Sequence, residues 1–376
     1  MFGIIQNPPV VSAWLMGDAP AAKKTLAKYS WTSPVVAVKV LDSILRGISQ
    51  VVFVNNPVSG FLILVGLLLS DVTYGLGALV CALTAVAFAK LVGTPNSAIE
   101  AGLSNYDAVL VGVVTPVLYP LYFHQPLSLP VWGYMVVASI FSVCASGGLG
   151  KLLAVHHLPA FTLPFNLVIT LTFMSLKSAG YEAEAPSVNA TLEHLAQPNW
   201  EQVWLGTLLS AGQVFGVEDV LCSTLVMMAM FIFSPILTVA SYTGATVATF
   251  TAVMVSSAPY AQMEAGVWGY NGFLSAAAVA FFMVPTPRTL LLAVVNSVFT
   301  VFLHAALSAA FKLPVFSLPF CVSSLVFLSM AMSVGPASLR VSSPSFPELH
   351  LILNSKESRI NKRNAEEIKM TITTIS

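Results

Sequence analysis

Five apolar stretches with few charges inside them confine what this chain can become: Val58 to Leu69, Thr73 to Val92, Val131 to Val155, Leu221 to Val239 and Thr289 to Phe311. Each approaches or reaches the roughly 20 residues that a helix needs to cross hydrocarbon. Composition closes off the alternative of a water-soluble fold. Only 9% of the 376 residues are charged, against roughly a quarter in a soluble domain, and so few charges cannot cover a wet surface of this size. An all-α integral membrane protein is the expected fold class.

The placement of charge sets the expected topology. Of the Lys and Arg residues, Lys23, Lys24 and Lys28 precede Trp31, and Arg340, Lys356, Arg359, Lys362, Arg363 and Lys369 follow Gly335. Basic flanks stay on the cytoplasmic side, so both tails are predicted inside and the number of spans even. Ser178 to Gln202 has no Lys or Arg and carries the sequon Asn189-Ala190-Thr191. It reads as an external loop, open to glycosylation at Asn189. The first residues, up to Tyr29, lack an apolar core behind a basic cluster, so a cleaved signal peptide is not expected. Cys81, Cys144, Cys222 and Cys321 are widely spaced within apolar runs and read as buried free thiols, with neither disulfide nor zinc site indicated.

The chain is duplicated. Leu158-Pro159-Ala160-Phe161-Thr162-Leu163-Pro164-Phe165 returns as Leu313-Pro314-Val315-Phe316-Ser317-Leu318-Pro319-Phe320. Upstream, Ala101-Gly102 with Tyr106 and Leu110 is answered by Ala265-Gly266 with Tyr270 and Leu274, and Gln50-Val51 by Gln213-Val214. The octapeptides are closer together than the other pairs, so the first half carries extra residues, expected around Tyr122 to Pro130. An external loop between internal tails requires an odd number of spans per half, which makes the halves an inverted repeat. The expected organisation is an N-terminal cytoplasmic tail at 1–32, a first membrane repeat at 33–177, an extracellular loop at 178–202, a second repeat at 203–335 and a C-terminal cytoplasmic tail at 336–376. Each repeat is predicted to hold about five transmembrane helices and one tilted re-entrant half-helix. Val40 to Val54, ending at Asn55-Asn56-Pro57, and Val203 to Val217, ending at Glu218-Asp219, are the expected half-helices, because uncapped backbone at bilayer depth is tolerated where it lines a cavity.

The run Leu45-Arg46-Gly47-Ile48-Ser49-Gln50-Val51-Val52-Phe53-Val54-Asn55-Asn56-Pro57 resembles the opening signature of the urea transporter family. The repeated LPxFxLPF element resembles the same family's hallmark, and Asn105-Tyr106-Asp107 and Tyr270-Asn271-Gly272 resemble its Gly-Tyr-Asn element. The resemblance implies facilitated, channel-like diffusion of urea across the plasma membrane, one pore per subunit, in a homotrimer embedded in lipid. It implies no cofactor, metal or nucleic-acid partner. Carried over by position, it puts Gln50, Val51 and Phe53 with Gln213, Val214 and Phe215 on the pore. Tyr106, Leu110, Tyr270 and Leu274 become slot walls, and Thr162 and Ser317 hydroxyls near the centre. Two departures stand out: Glu218-Asp219-Val220 replaces an Asn-Pro step, and Asp107 replaces an Asn.

These residue types suit urea, a flat neutral solute with four N–H donors and one carbonyl. Each hydrogen bond stripped and not replaced costs roughly 2 to 7 kcal/mol in an apolar medium, so a path must offer neutral acceptors and donors along its length. Amides, hydroxyls and free carbonyls of broken helices do so, while Tyr and Leu four apart share one helix face as a stiff wall. The same residues have plainer readings. A membrane glutamine is often glue between helices, Tyr and Leu at helical spacing are usually packing, and Thr162 or Ser317 can bond a carbonyl one turn back. Register across the repeat favours the pore for the glutamines. Glu100, Asp107, Glu218 and Asp219 flank apolar runs and are expected near the membrane surface; Arg46 is expected to anchor backbone carbonyls. No H-E-x-x-H, G-x-S-x-G or Walker A run supports an enzyme. A channel for ammonium or another small neutral polar solute is the alternative.

Overall fold

The computed structural model describes residues 16–179, 197–256, 259–311, 313–333, 340–341, 343–356 and 359–360. Asn189 and the basic residues beyond 360 lie outside the described residues. After a short α1 (Pro20–Leu26) come α2 (Val36–Gln50), α3 (Pro57–Ser70), α4 (Val72–Leu91), α5 (Asn96–Glu100), α6 (Tyr106–Phe123), α7 (Leu129–Ala154) and α8 (Leu163–Ser178). The second half follows as α9 (Trp200–Gln213), α10 (Val220–Phe233), α11 (Pro235–Val255), α12 (Tyr260–Glu264), α13 (Tyr270–Phe282), α14 (Pro287–Ala310) and α15 (Leu318–Ser333). Among the described residues there is no strand, and one isolated bridge joins Met283 and Arg340.

The lengths run 15, 14, 20, 5, 18, 26 and 16 residues in α2 to α8, and 14, 14, 21, 5, 13, 24 and 16 in α9 to α15. The two halves therefore present the same elements in the same order. The surplus of the first half falls mainly in the last turns of α6, slightly upstream of the expected place. Helices α4, α6, α7, α11 and α14 are long and apolar enough to cross a membrane, and α3, α8, α10, α13 and α15 are shorter apolar helices. Leu69, Leu83, Phe141, Leu171, Phe231, Val239 and Leu291 all stand exposed, a surface suited to lipid and not to water.

Small residues let the long helices touch. A Cβ on Gly112 of α6 would lie 2.2 Å from the Gly77 carbonyl oxygen of α4, and one on Gly272 of α13 would lie 2.7 Å from that of Gly244 on α11. Close backbone approach through small residues is how helices pack where no hydrophobic drive exists between them. Cys81, Cys222 and Cys321 are buried free thiols as expected, but Cys144 is exposed on α7.

At one end the two tails clasp each other. Ser345 Oγ donates to Asp18 Oδ2 at 2.7 Å, Arg46 Nη1 donates to the Asp18 carbonyl at 3.0 Å, and Asn56 Nδ2 to that of Gly17 at 2.7 Å. Phe346 packs edge-on against Phe233, and Val341 N donates to the Phe282 carbonyl at 3.0 Å. Burial raises the Asp18 carboxyl and lowers the His350 imidazole to about 4.

Candidate functional site

The two short helices α2 and α9 begin the site. A helix of 14 or 15 residues rises roughly 22 Å, less than a hydrocarbon core of about 30 Å. Their last residues are Gln50 and Gln213, after which the chain turns through a left-handed residue: Phe53 at φ 62° in the first half, Gly216 at φ 79° in the second. Asn56 then caps α3 through Val58 N and Ser59 N, with Pro57 in its first turn. Asp219 occupies the equivalent place and caps α10 through Cys222 N at 2.7 Å. The Glu-Asp departure thus preserves the cap, while Glu218 points outward and is exposed.

The neighbouring position changes what the glutamines do. In the first half Asn55 Nδ2 bridges Gln50 Oε1 at 3.1 Å and the Ala101 carbonyl at 2.6 Å. Glu218 replaces Asn55 in the second half and has no amide to donate. There Gln213 Nε2 itself donates to the Ala265 carbonyl at 2.9 Å, so its Oε1 has no protein partner among the described residues. Arg46, fully buried, holds Asn55 through its carbonyl and Oδ1, both at 2.8 Å, in keeping with the carbonyl-anchoring expectation.

The octapeptides form the centre. Phe161 and Phe316 are left-handed at φ 49° and 46°, and each has its carbonyl held by a tyrosine: Tyr106 Oη donates to Phe161 O at 2.6 Å, and Tyr270 Oη to Phe316 O. These bonds place the next residues, Thr162 and Ser317, face to face with their hydroxyl oxygens 2.6 Å apart. Asn166 Nδ2 donates to Ser317 Oγ at 3.0 Å and to the Thr162 carbonyl at 2.7 Å. The prolines of the motif do not kink a helix; Pro164 sits in the first turn of α8, where a missing N–H costs nothing.

A cavity of about 460 Å³ ends on this hydroxyl pair, within the range of small-molecule sites. Of the twelve residues expected on the pore, Val51, Leu110, Thr162, Gln213, Val214, Tyr270, Leu274 and Ser317 line it, and among the described residues no Asp, Glu, Lys or Arg does. Gln50, Phe53, Tyr106 and Phe215 are not on its wall. Phe215 is fully buried in the core; by register its counterpart is Val52, and Phe53 corresponds to Gly216. Phe53 instead packs on Phe161, Phe281, Phe282 and Phe320, with ring centroids 5.7 to 6.1 Å apart. Five rings therefore cluster at Phe53 with none of them on the cavity wall, whereas Gly216 at the matching place lines the cavity.

Two residues near the centre were misplaced or missed by sequence reasoning. Asp107, expected at the surface, is 2% exposed. Its Oδ2 accepts from Ser146 Oγ at 2.6 Å and its Oδ1 from Phe165 N at 3.2 Å. Asn271 holds Phe320 N in the same way in the second half. His304 on α14 lines the cavity and went unremarked, although an ionisable residue inside an apolar run is itself a signal.

Interrupted helices around a cavity whose described lining is uncharged, in a bundle whose outer surface is apolar, define a multi-pass helical membrane transport protein. Its sequence matches the family model described as "UT: Urea transporter" over residues 41–332. It is 33% identical over 326 residues to urea transporter 1 of Capra hircus, covering 83% of each chain. It is 31% identical over 326 residues to that of Rattus norvegicus, covering 84% of this chain and 83% of the other. The chain belongs to the urea transporter family; it is a transporter and not an enzyme, and membership supports urea transport.

Proposed function

We propose that each subunit conducts urea down its gradient through a channel-like path that crosses the Thr162–Ser317 pair. The observation that carries this reading is the neutral hydroxyl pair in the wall of a cavity whose described lining holds no Asp, Glu, Lys or Arg. Urea has the donors and the acceptor to bridge two hydroxyls, while an ion would find neither its hydration shell nor a countercharge there. Family membership does not favour the ammonium alternative. Val51, Leu110 and Leu274 are the proposed wall residues beside Gln213, Val214 and Tyr270, with Gln50, Phe53 and Tyr106 proposed for the path beyond this cavity.

The finer organisation is part of the same proposal: inverted halves, both tails cytoplasmic, an external loop glycosylated at Asn189, and a homotrimer in the plasma membrane. Element order supports the repeat. So does the packing of α3 against α10 and of α8 against α15, since each pair consists of equivalent helices and a two-fold axis must run between such partners. Tail charge supports the orientation, and the trimer rests on the family resemblance.

Tracer urea flux in proteoliposomes tests the function. Flux should follow the urea gradient and change little when a proton or sodium gradient is imposed; uphill accumulation driven by either would overturn the channel reading. Gln213→Leu removes an acceptor from the wall and should cut flux on the order of ten-fold. Normal flux in the folded variant would make Gln213 structural glue.

A further inference from the structure

His304 lies near the C-terminal end of α14, 6% exposed, with its imidazole on the cavity wall. One face of the ring stacks on Trp268, centroids 4.4 Å apart at 15°, and Tyr270 meets it edge-on at 6.3 Å. Trp268 is itself fixed, because its Nε1 donates to Gln262 Oε1 at 2.9 Å. Neither nitrogen of His304 makes a hydrogen bond to another described residue, and Nδ1 is a buried polar atom without a partner. A buried polar group left unpaired costs stability, and a native structure that keeps one has a reason for it.

The surroundings supply a reason. The cavity rim at Gln262, Ser308 and Phe311 is exposed, whereas Thr162 and Ser317 at its floor are buried. A solute coming in over that rim meets His304 and the free Oε1 of Gln213 before it reaches the hydroxyl pair. With Nδ1 buried, the accessible nitrogen is Nε2, which by tautomer donates to the carbonyl or accepts from an N–H of a planar amide. Aligning Thr162 with Ser317 sets His304 opposite Leu149, so the first half has no imidazole at this place, and Phe53, where the second half has Gly216, is not on the cavity wall.

We infer that His304 forms a one-sided solute subsite in the vestibule, taking urea and related planar amides, which makes the two ends of the path unequal in affinity. The inference rests on the proposed urea conduction. It is tested by zero-trans influx and efflux of labelled urea in cells expressing the full chain. The half-saturation concentration should be lower from the His304 side, by about three- to ten-fold, as for one neutral hydrogen bond. His304→Leu should abolish that difference while moving the other side little. His304→Gln, which keeps an acceptor and a donor, should retain most of it, and His304→Phe, which keeps the stack on Trp268 without nitrogens, should behave as Leu. The Phe variant also carries the test if Leu fails to fold. Equal half-saturation from both sides in the wild type, or variants that shift both sides by one factor, would overturn the subsite. Wild-type protein at the surface without urea flux would instead remove the transport reading and the subsite with it.

Discussion

Replacing Thr162 by Val is the sharpest test of the central pair, because two opposed effects can be weighed. Val matches Thr in shape but lacks the hydroxyl, which faces Ser317 Oγ at 2.6 Å and Cys321 Sγ at 3.3 Å. Ser317 keeps one donor in the variant, Asn166 Nδ2 at 3.0 Å, so it is not orphaned and the fold should lose only about 0.5 to 1.5 kcal/mol. For urea to pass, the hydroxyl contact must part. Its loss removes a toll of about 1 kcal/mol from the path, the net worth of such a bond. The solute, however, loses a partner at its most dehydrated point, which costs about 1 to 3 kcal/mol. The second term wins by about 1 kcal/mol, so urea flux should fall roughly five-fold. Ser317→Thr keeps the hydroxyl and adds a methyl group, so it should penalise N-methylated ureas more than urea. The assay is stopped-flow efflux from proteoliposomes with stability followed in parallel. Folded Thr162→Val protein that conducts urea as fast as the wild type, or faster, refutes the assignment of the pair to the path.

Asp107→Asn should fold and conduct, because Asn271 performs the same clip in the second half, whereas Asp107→Ala leaves Phe165 N–H unpaired and should cost about 1 to 3 kcal/mol in detergent unfolding; equal stability of the two variants would sink that role. Gly112→Ala drives a methyl group to 2.2 Å from the Gly77 carbonyl and should cost about 1 to 3 kcal/mol as overpacking, where Ala at the open position Gly133 should be harmless; a neutral Gly112→Ala would mean α4 and α6 do not cross there. In the tail clasp, His350 has its folded value lowered from 6.5 to about 4, so between these the unfolded segment binds the proton and the folded one does not. The clasp is firm above about pH 6.5 and loosens as pH falls toward 4. Asp18 is raised by burial and works in the opposite sense, so limited proteolysis of wild type should be compared with His350→Gln, and identical acid profiles would exclude the histidine.

Much of this architecture was legible because duplication doubles every signal. The repeat pointed to both octapeptide turns and both short helices, though the expected helix ends, Val54 and Val217, fall four residues beyond the observed ones, Gln50 and Gln213. What escaped is instructive in its physics. The resemblance puts both Phe53 and Phe215 on the pore, whereas the fold matches Phe53 to Gly216, both in a left-handed turn, and leaves Phe215 in the core; counting three residues from each glutamine gives that match. Asp107 was visible as a carboxylate, but its task depends on Ser146 and Phe165, which only tertiary packing brings to it. His304 was the lone ionisable residue in the longest apolar run of the second half, and nothing local reveals that Trp268 would stack against it.

The divergence between the halves is not spread evenly, and its distribution bears on mechanism. At the centre the repeat is nearly intact: two left-handed phenylalanines, two tyrosine clips on their carbonyls, and two hydroxyls in contact. Toward the ends the pairs part company: Phe53 with Gly216, Asn55 with Glu218, Leu149 with His304. A path that must strip a neutral solute of water needs the same replacement hydrogen bonds at its middle whichever way the solute travels. The ends bear no such constraint. They can differ in width, charge and affinity, because unequal affinities at the two mouths alter how each side saturates and leave the equilibrium between the two compartments untouched.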